Sequence, residues 1–151
     1  MKRYVLLVLG YVVPTFALGF LWHLVLFKEN YDALGVFRDD ISVPLGLFTI
    51  IVQGLVLAYL YPLLYRGGPP LREGMRFGAI FGIIFWSIQA VAAAAKHHMD
   101  SVPVFLALET GFFASMFAIV GPLMGIVHVK TTDASSRSGP AIQQEPIRRA
   151  R

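Results

Sequence analysis

The stretch Tyr4-VLLVLGYVVPTFALGFLWHLVL-Phe27 contains no Asp, Glu, Lys or Arg. A helix needs about 20 consecutive apolar residues to cross the hydrocarbon core of a bilayer, and at 1.5 Å per residue this run extends about 36 Å. Three more runs of the same kind follow, at Ile41–Tyr65, Phe77–Ala95 and Pro103–Val129, with Glu109 the one charged side chain among them. Backbone amides in lipid must be paired within their own segment or within a closed barrel. Runs this long and this uniformly apolar do not alternate as barrel strands do. The expected fold is therefore an all-α integral membrane bundle of four transmembrane helices in two antiparallel hairpins.

Composition agrees. Of 151 residues, 56% are hydrophobic and 15% charged, with a mean hydropathy of +0.65, whereas a soluble domain carries about 25% charged residues. Residues 1–130 read as one membrane domain, which leaves no length for a separate soluble catalytic domain. From Thr131 the chain is rich in Ser, Gly, Pro, Gln and Arg, so 131–151 reads as a disordered basic cytoplasmic tail able to touch anionic headgroups. The absence of cysteine excludes disulfides, thiolate metal sites, iron–sulfur clusters and cysteine nucleophiles.

The net charge of +4 suggests nucleic acid only until its distribution is considered. Lys2, Arg3, Arg66, Arg72, Arg76, Lys130, Arg137, Arg148, Arg149 and Arg151 fall on one side of the threaded chain; Lys28, Arg38 and Lys96 fall on the other, among five acids. Ten against three is the positive-inside pattern. It places both termini in the cytoplasm of a cell with a plasma (inner) membrane, with the bilayer and not nucleic acid as partner. Met1-Lys-Arg with Thr15-Phe-Ala17 imitates a cleavable signal, but the apolar run continues ten residues past Ala17, so an uncleaved first helix is expected.

Proline and glycine punctuate the runs. Pro14 lies inside the first and is expected to kink it; Pro44 opens the second and Pro62 loosens its end; Arg66-Gly-Gly-Pro-Pro70 breaks the chain. Lys28–Asp40 reads as a short amphipathic segment at the outer interface, with Asp39-Asp40 as a solvated loop end and helix cap. Val43-Pro44 with Pro62-Leu63, and Val102-Pro103 with Pro122-Leu123, form a faint internal repeat.

Helix association in lipid rests on close packing over small residues and on interhelical hydrogen bonds. Gly74, Gly78 and Gly82 recur every four residues, and the fourth run carries Ala107, Gly111 and Ser115, then Gly121 and Gly125. These ridges read first as internal packing, with a homo-oligomer or a contact with a larger membrane complex as the sharper alternative.

Ionisable groups at membrane depth mark function by default, because a carboxylate at mid-membrane costs about 2.5–3.5 kcal/mol on insertion scales. Glu109 is expected to be protonated or paired, with His23, Gln89 and Gln53 as polar companions and Lys96, His97, His98 and Asp100 as an outer rim from which Lys96 can reach down. A structural polar clamp, contributing about 0.6 to 2 kcal/mol per hydrogen bond, is weighed against a proton- or solute-handling site. A metal or haem site draws on His23, His97, His98, Asp100 and Glu109, but no His-x-x-x-His or Glu-x-x-His spacing occurs, so neither metal nor cofactor is expected. No phosphate loop, Ser–His–Asp arrangement or paired-carboxylate site is present.

Gly19-Phe-Leu-Trp22-His23-Leu-Val-Leu-Phe27, followed by Tyr31 and Leu34-Gly35, resembles the opening of small uncharacterised four-helix bacterial inner-membrane proteins grouped as domains of unknown function. The resemblance covers the first hairpin and implies a bacterial inner-membrane setting without an activity. Three functions follow as expectations: a non-enzymatic accessory or scaffold subunit presenting its glycine ridge or Phe-lined face to another protein; a small oligomeric transporter or proton-coupled permease using Glu109; and a lipid- or quinone-linked membrane enzyme or redox subunit.

Overall fold

The computed structural model describes residues 1–38 and 40–137. Among these every regular element is helical. Helix α1 (Lys2–Leu21) passes into a π-helical turn (Trp22–Leu26) and is followed by the short α2 (Lys28–Leu34). Helix α3 spans Val43–Leu64. Helix α4 (Pro70–Trp86) continues through a second π turn (Ser87–Val91) into α5 (Ala92–Ala94), and α6 spans Val102–Arg137. Four helical stretches among the described residues are long and apolar enough to cross a membrane: Lys2–Leu26, Val43–Leu64, Pro70–Ala94 and Val102–Asp133.

Large apolar side chains such as Val13, Phe48, Ile83 and Ile88 stand fully in the open along these helices. Exposure on that scale suits lipid rather than water as the surrounding medium. Half of the apolar window of α6 is buried inside the bundle, against 17–22% for the other three, so α6 is the central helix. It packs on α4 and α1, while α3 packs mainly on α1.

The glycine ridge is spent inside the molecule. A Cβ on Gly74 would collide with the carbonyl of Gly121, one on Gly78 would lie 2.7 Å from the Phe117 carbonyl oxygen, and one on Gly82 would press on the Phe117 ring. On the other side of the contact, Gly121 fits against Gly74, and Gly125 against the Pro70 carbonyl. Backbone touches backbone along the α4–α6 seam, the small-xxx-small mode of membrane helix packing. Gly74 and Gly78 are thus committed to the α4–α6 seam, while Gly78 and Gly82 also border an apolar groove of about 380 Å³ beside it, with Met75, Ile83 and Trp86. Gly111 faces the Trp22 ring of α1 instead, 3.2 Å from where its Cβ would stand, and Ser115 is half-buried on the same helix.

Several boundaries differ from expectation. The third span opens at Pro70 rather than Phe77, because the charges before Phe77 are satisfied locally. Glu73 accepts the Arg66 backbone N–H (3.2 Å) and the Arg76 guanidinium (2.8 Å), and Arg76 also donates to the Leu64 carbonyl. Tyr65 donates to the Gly68 carbonyl at 2.7 Å, and Gly67 supplies the positive φ of 80° that the turn requires. The fourth span runs beyond Lys130 to Arg137: the hydroxyls of Thr131 and Thr132 donate back to carbonyls of Val127 and His128, so the polar segment after Val129 extends the helix. The rest of the expected tail lies outside the described residues.

Within Lys28–Asp40, Lys28–Leu34 folds as α2, closed by Gly35 in the left-handed region (φ 66°); its Tyr31 and Leu34 insert among Met99 and Phe105, and its remaining side chains are exposed. Asp40 forks with Arg38 at 3.0 Å, and the residue preceding α3, Ser42, makes no side-chain cap. Asp39, read as part of that cap, is outside the described residues.

Candidate functional site

Leu7, Tyr11, Thr15 and Gly19 recur every four residues along α1, and His23 follows at the same spacing; the first three are buried. His23 lies within the π turn, where the Phe27 N–H bonds to the Trp22 carbonyl at 3.0 Å. The wider turn sets the imidazole between α1 and α6. π turns often coincide with functional positions, and Gln89 occupies the other one.

Glu109 lies seven residues into α6, about 10 Å along its axis, and is only 7% exposed. One of its oxygens, Oε1, receives the Tyr31 hydroxyl at 2.8 Å and faces His23 Nε2 at 3.2 Å. The other imidazole nitrogen, Nδ1, stands 3.0 Å from the Gly19 carbonyl oxygen. A carbonyl oxygen only accepts, so Nδ1 carries a hydrogen, which assigns the tautomer. The second ring nitrogen, Nε2, is left facing Glu109 Oε1 within hydrogen-bonding distance.

Aromatic rings hold the arrangement. Tyr31 stacks on Phe37 at 5.0 Å and lies 4.8 Å from the His23 ring, while Phe112 meets His23 edge-on at 4.6 Å. Burial, reinforced by the Glu109 charge, pushes the Tyr31 phenol well above its usual value of 10.0. Tyr31 therefore remains a donor throughout the physiological range.

His23 also borders a cavity of about 360 Å³ between the four long helices. Thr15 and Gly19 of α1, Thr49 and Gln53 of α3, Gln89, and Phe112 and Met116 of α6 complete most of its wall. Gln53 Oε1 accepts the Tyr11 hydroxyl at 2.8 Å. Thr15 Oγ1 is buried without a hydrogen-bond partner among the described residues. The wall holds glutamine, threonine and histidine but no fixed charge.

The structure thus joins Glu109 to His23 and sets Gln53 and Gln89 on the cavity wall rather than on Glu109. Lys96, His97, His98 and Asp100 are exposed on the loop before α6, where the Asp100 N–H bonds to the Leu34 carbonyl at 3.2 Å. The expected reach of Lys96 down to Glu109 is replaced by the Tyr31 hydroxyl, which comes from a helix that packs deeper than its loop position suggested. Among the described residues no three His, Asp or Glu side chains converge on a common point; of the five weighed as ligands, only His23 and Glu109 meet. Tyr31, Tyr11 and Thr15 were missed. The i, i+4 spacing of Thr15, Gly19 and His23 was the signal for the last, and the Tyr31/Leu34 spacing for the first.

Comparison with known protein families, with curated proteins and with solved structures found no match.

Proposed function

We propose that this protein is a small proton-linked carrier of a bacterial inner membrane, threaded with both termini in the cytoplasm, whose cargo binds in the cavity between the four helices. The reading rests on one observation: His23, held at Nδ1 by the Gly19 carbonyl, sets Nε2 3.2 Å from Glu109 and borders a polar cavity of about 360 Å³. Pairs of titratable groups in a low-dielectric cleft are favoured places for proton chemistry. A ligand that bonds to the imidazole from the cavity side competes with Glu109 for Nε2, which couples occupancy to proton exchange between the two groups.

The test is infrared spectroscopy of the full chain in bilayers, titrated from mildly acidic to mildly alkaline buffer. A protonated-carboxyl band that grows in acid and is missing from Glu109→Gln supports a proton-exchanging pair. A Glu109 band that never responds to pH, with or without His23, overturns the carrier reading.

A further inference from the structure

The polar cavity does not end at the α1–α3 contact. On the opposite side of that contact lies a second cavity of about 210 Å³, an apolar groove lined by Phe16, Phe20, Leu24, Phe37, Ile41 and Leu47. Gly19, His23, Gly46 and Ile50 line both spaces. The two glycines, one on each helix, leave the contact without side chains at this level. A Cβ on Gly46 would meet nothing within 4 Å, and one on Gly19 would touch only the tip of the Phe112 ring at 3.9 Å. Close helix–helix approach is thus not what either glycine serves here, in contrast to Gly74 and Gly78. They frame a window.

The chemistry on the two sides of the window is different. Inside, the half-buried Gln53 accepts the Tyr11 hydroxyl at its Oε1, the Gln89 side chain lines the wall, and among the described residues the buried Thr15 Oγ1 has no hydrogen-bond partner. A buried polar atom left unpaired is costly, and such atoms are normally satisfied. Outside, aromatic and branched apolar side chains line the groove. Neither wall contains Asp, Glu, Lys or Arg, so a phosphate or ammonium head would find no fixed counter-charge there. The two volumes together fall within the range of about 300–1,000 Å³ typical of small-molecule sites.

We propose that the cavity is reached sideways from the bilayer, through the Gly19–Gly46 window, and that it receives a membrane-dissolved amphiphile with a single apolar tail and an uncharged carbonyl- or hydroxyl-bearing head. The head lies among Thr15, Gln53 and Gln89, within reach of the His23 ring, and the tail lies in the groove between Phe20 and Leu47. This rests on the carrier reading for its purpose, but not for its geometry.

Photolabelling tests it, with the full chain in bilayer nanodiscs and three probes bearing a diazirine on the same single tail: a monoacylglycerol, a headless alkane and a lysophosphatidic acid. The monoacylglycerol should mark peptides from α1 and α3 around Thr15 and Gln53, and excess unlabelled monoacylglycerol should suppress the marking. Gly46→Phe, whose side chain fills the window, should abolish it, while Gly46→Ala, too small to close the window, should leave it intact; circular dichroism checks that both remain folded. Gln53→Leu combined with Gln89→Leu should weaken retention about tenfold, the effect of two lost hydrogen bonds. Equal marking by the headless or the phosphate-bearing probe, or marking that persists in Gly46→Phe, overturns the proposal. The infrared titration of Glu109 is read separately. A pH-insensitive carboxyl with window-dependent labelling removes the carrier reading and leaves this one standing, and a titrating carboxyl with window-independent labelling does the opposite.

Discussion

At the scale of single residues, Glu109 illustrates how a charge is tolerated inside an apolar bundle. Its carboxylate is matched by a phenol that resists ionisation and by an imidazole whose second nitrogen is committed to a backbone carbonyl. Tyr31→Phe removes one donor from a buried acceptor, and thermal denaturation in mild detergent should show a loss of about 1–3 kcal/mol. The same phenol makes a pH prediction. Its folded-state value lies above the unfolded value of about 10, so the stabilisation from neutral Tyr31 is fully present below that pH and is lost as the pH rises beyond it. Ultraviolet difference spectra of wild type against Y31F should accordingly show no phenolate from Tyr31 near pH 10; a phenolate signal there would mean that the ring is exposed to water. Glu109 and His23 were legible in the sequence because polar residues in an apolar run are conspicuous. Tyr31 was not, because it sits outside the runs, where a tyrosine is ordinary.

At the scale of the helices, glycine has two opposite meanings here. Gly78 is a contact with the α6 backbone, and a methyl group at 2.7 Å from the Phe117 carbonyl oxygen forces two helices apart. Gly78→Ala should destabilise by about 1–3 kcal/mol. Gly46 faces open space, so Gly46→Ala should stabilise by about 0.5–1 kcal/mol through helix propensity alone. Thermal melts of the two variants should therefore move in opposite directions; a shared direction would contradict the packing described. Sequence spacing identified the ridge of Gly74, Gly78 and Gly82 as a packing surface. It did not identify the partner, since small-xxx-small motifs serve contacts within a chain and between chains equally well. The Val-Pro openings of the second and fourth runs do begin helices, at Val43 and Val102. The resemblance fails at the other end: α3 stops two residues after Pro62, whereas α6 continues fifteen residues past Pro122.

For the whole molecule, the absence of native cysteine makes orientation directly testable. With the proposed threading, a membrane-impermeant thiol reagent applied to sealed right-side-out vesicles should modify Lys96→Cys and spare Arg72→Cys. Inside-out vesicles should reverse the pattern, and equal labelling of both would refute four crossings with the basic ends together. Carbonate extraction should leave the chain in the membrane, because the apolar side chains exposed on every long helix have no other suitable solvent.

Helix number, approximate span limits and the rarity of charge at depth were determined by the sequence alone, because the length of an apolar run is itself the physical requirement for crossing lipid. Which helix lies at the centre, that Glu109 binds Tyr31 and His23 rather than Lys96, and that Gly19 and Gly46 frame an opening were decided only by the tertiary structure. Those features depend on the rotation and crossing of helices about one another. Two π turns and several backbone-to-backbone contacts set that rotation, and an apolar run records the extent of a helix without recording which way its sides face.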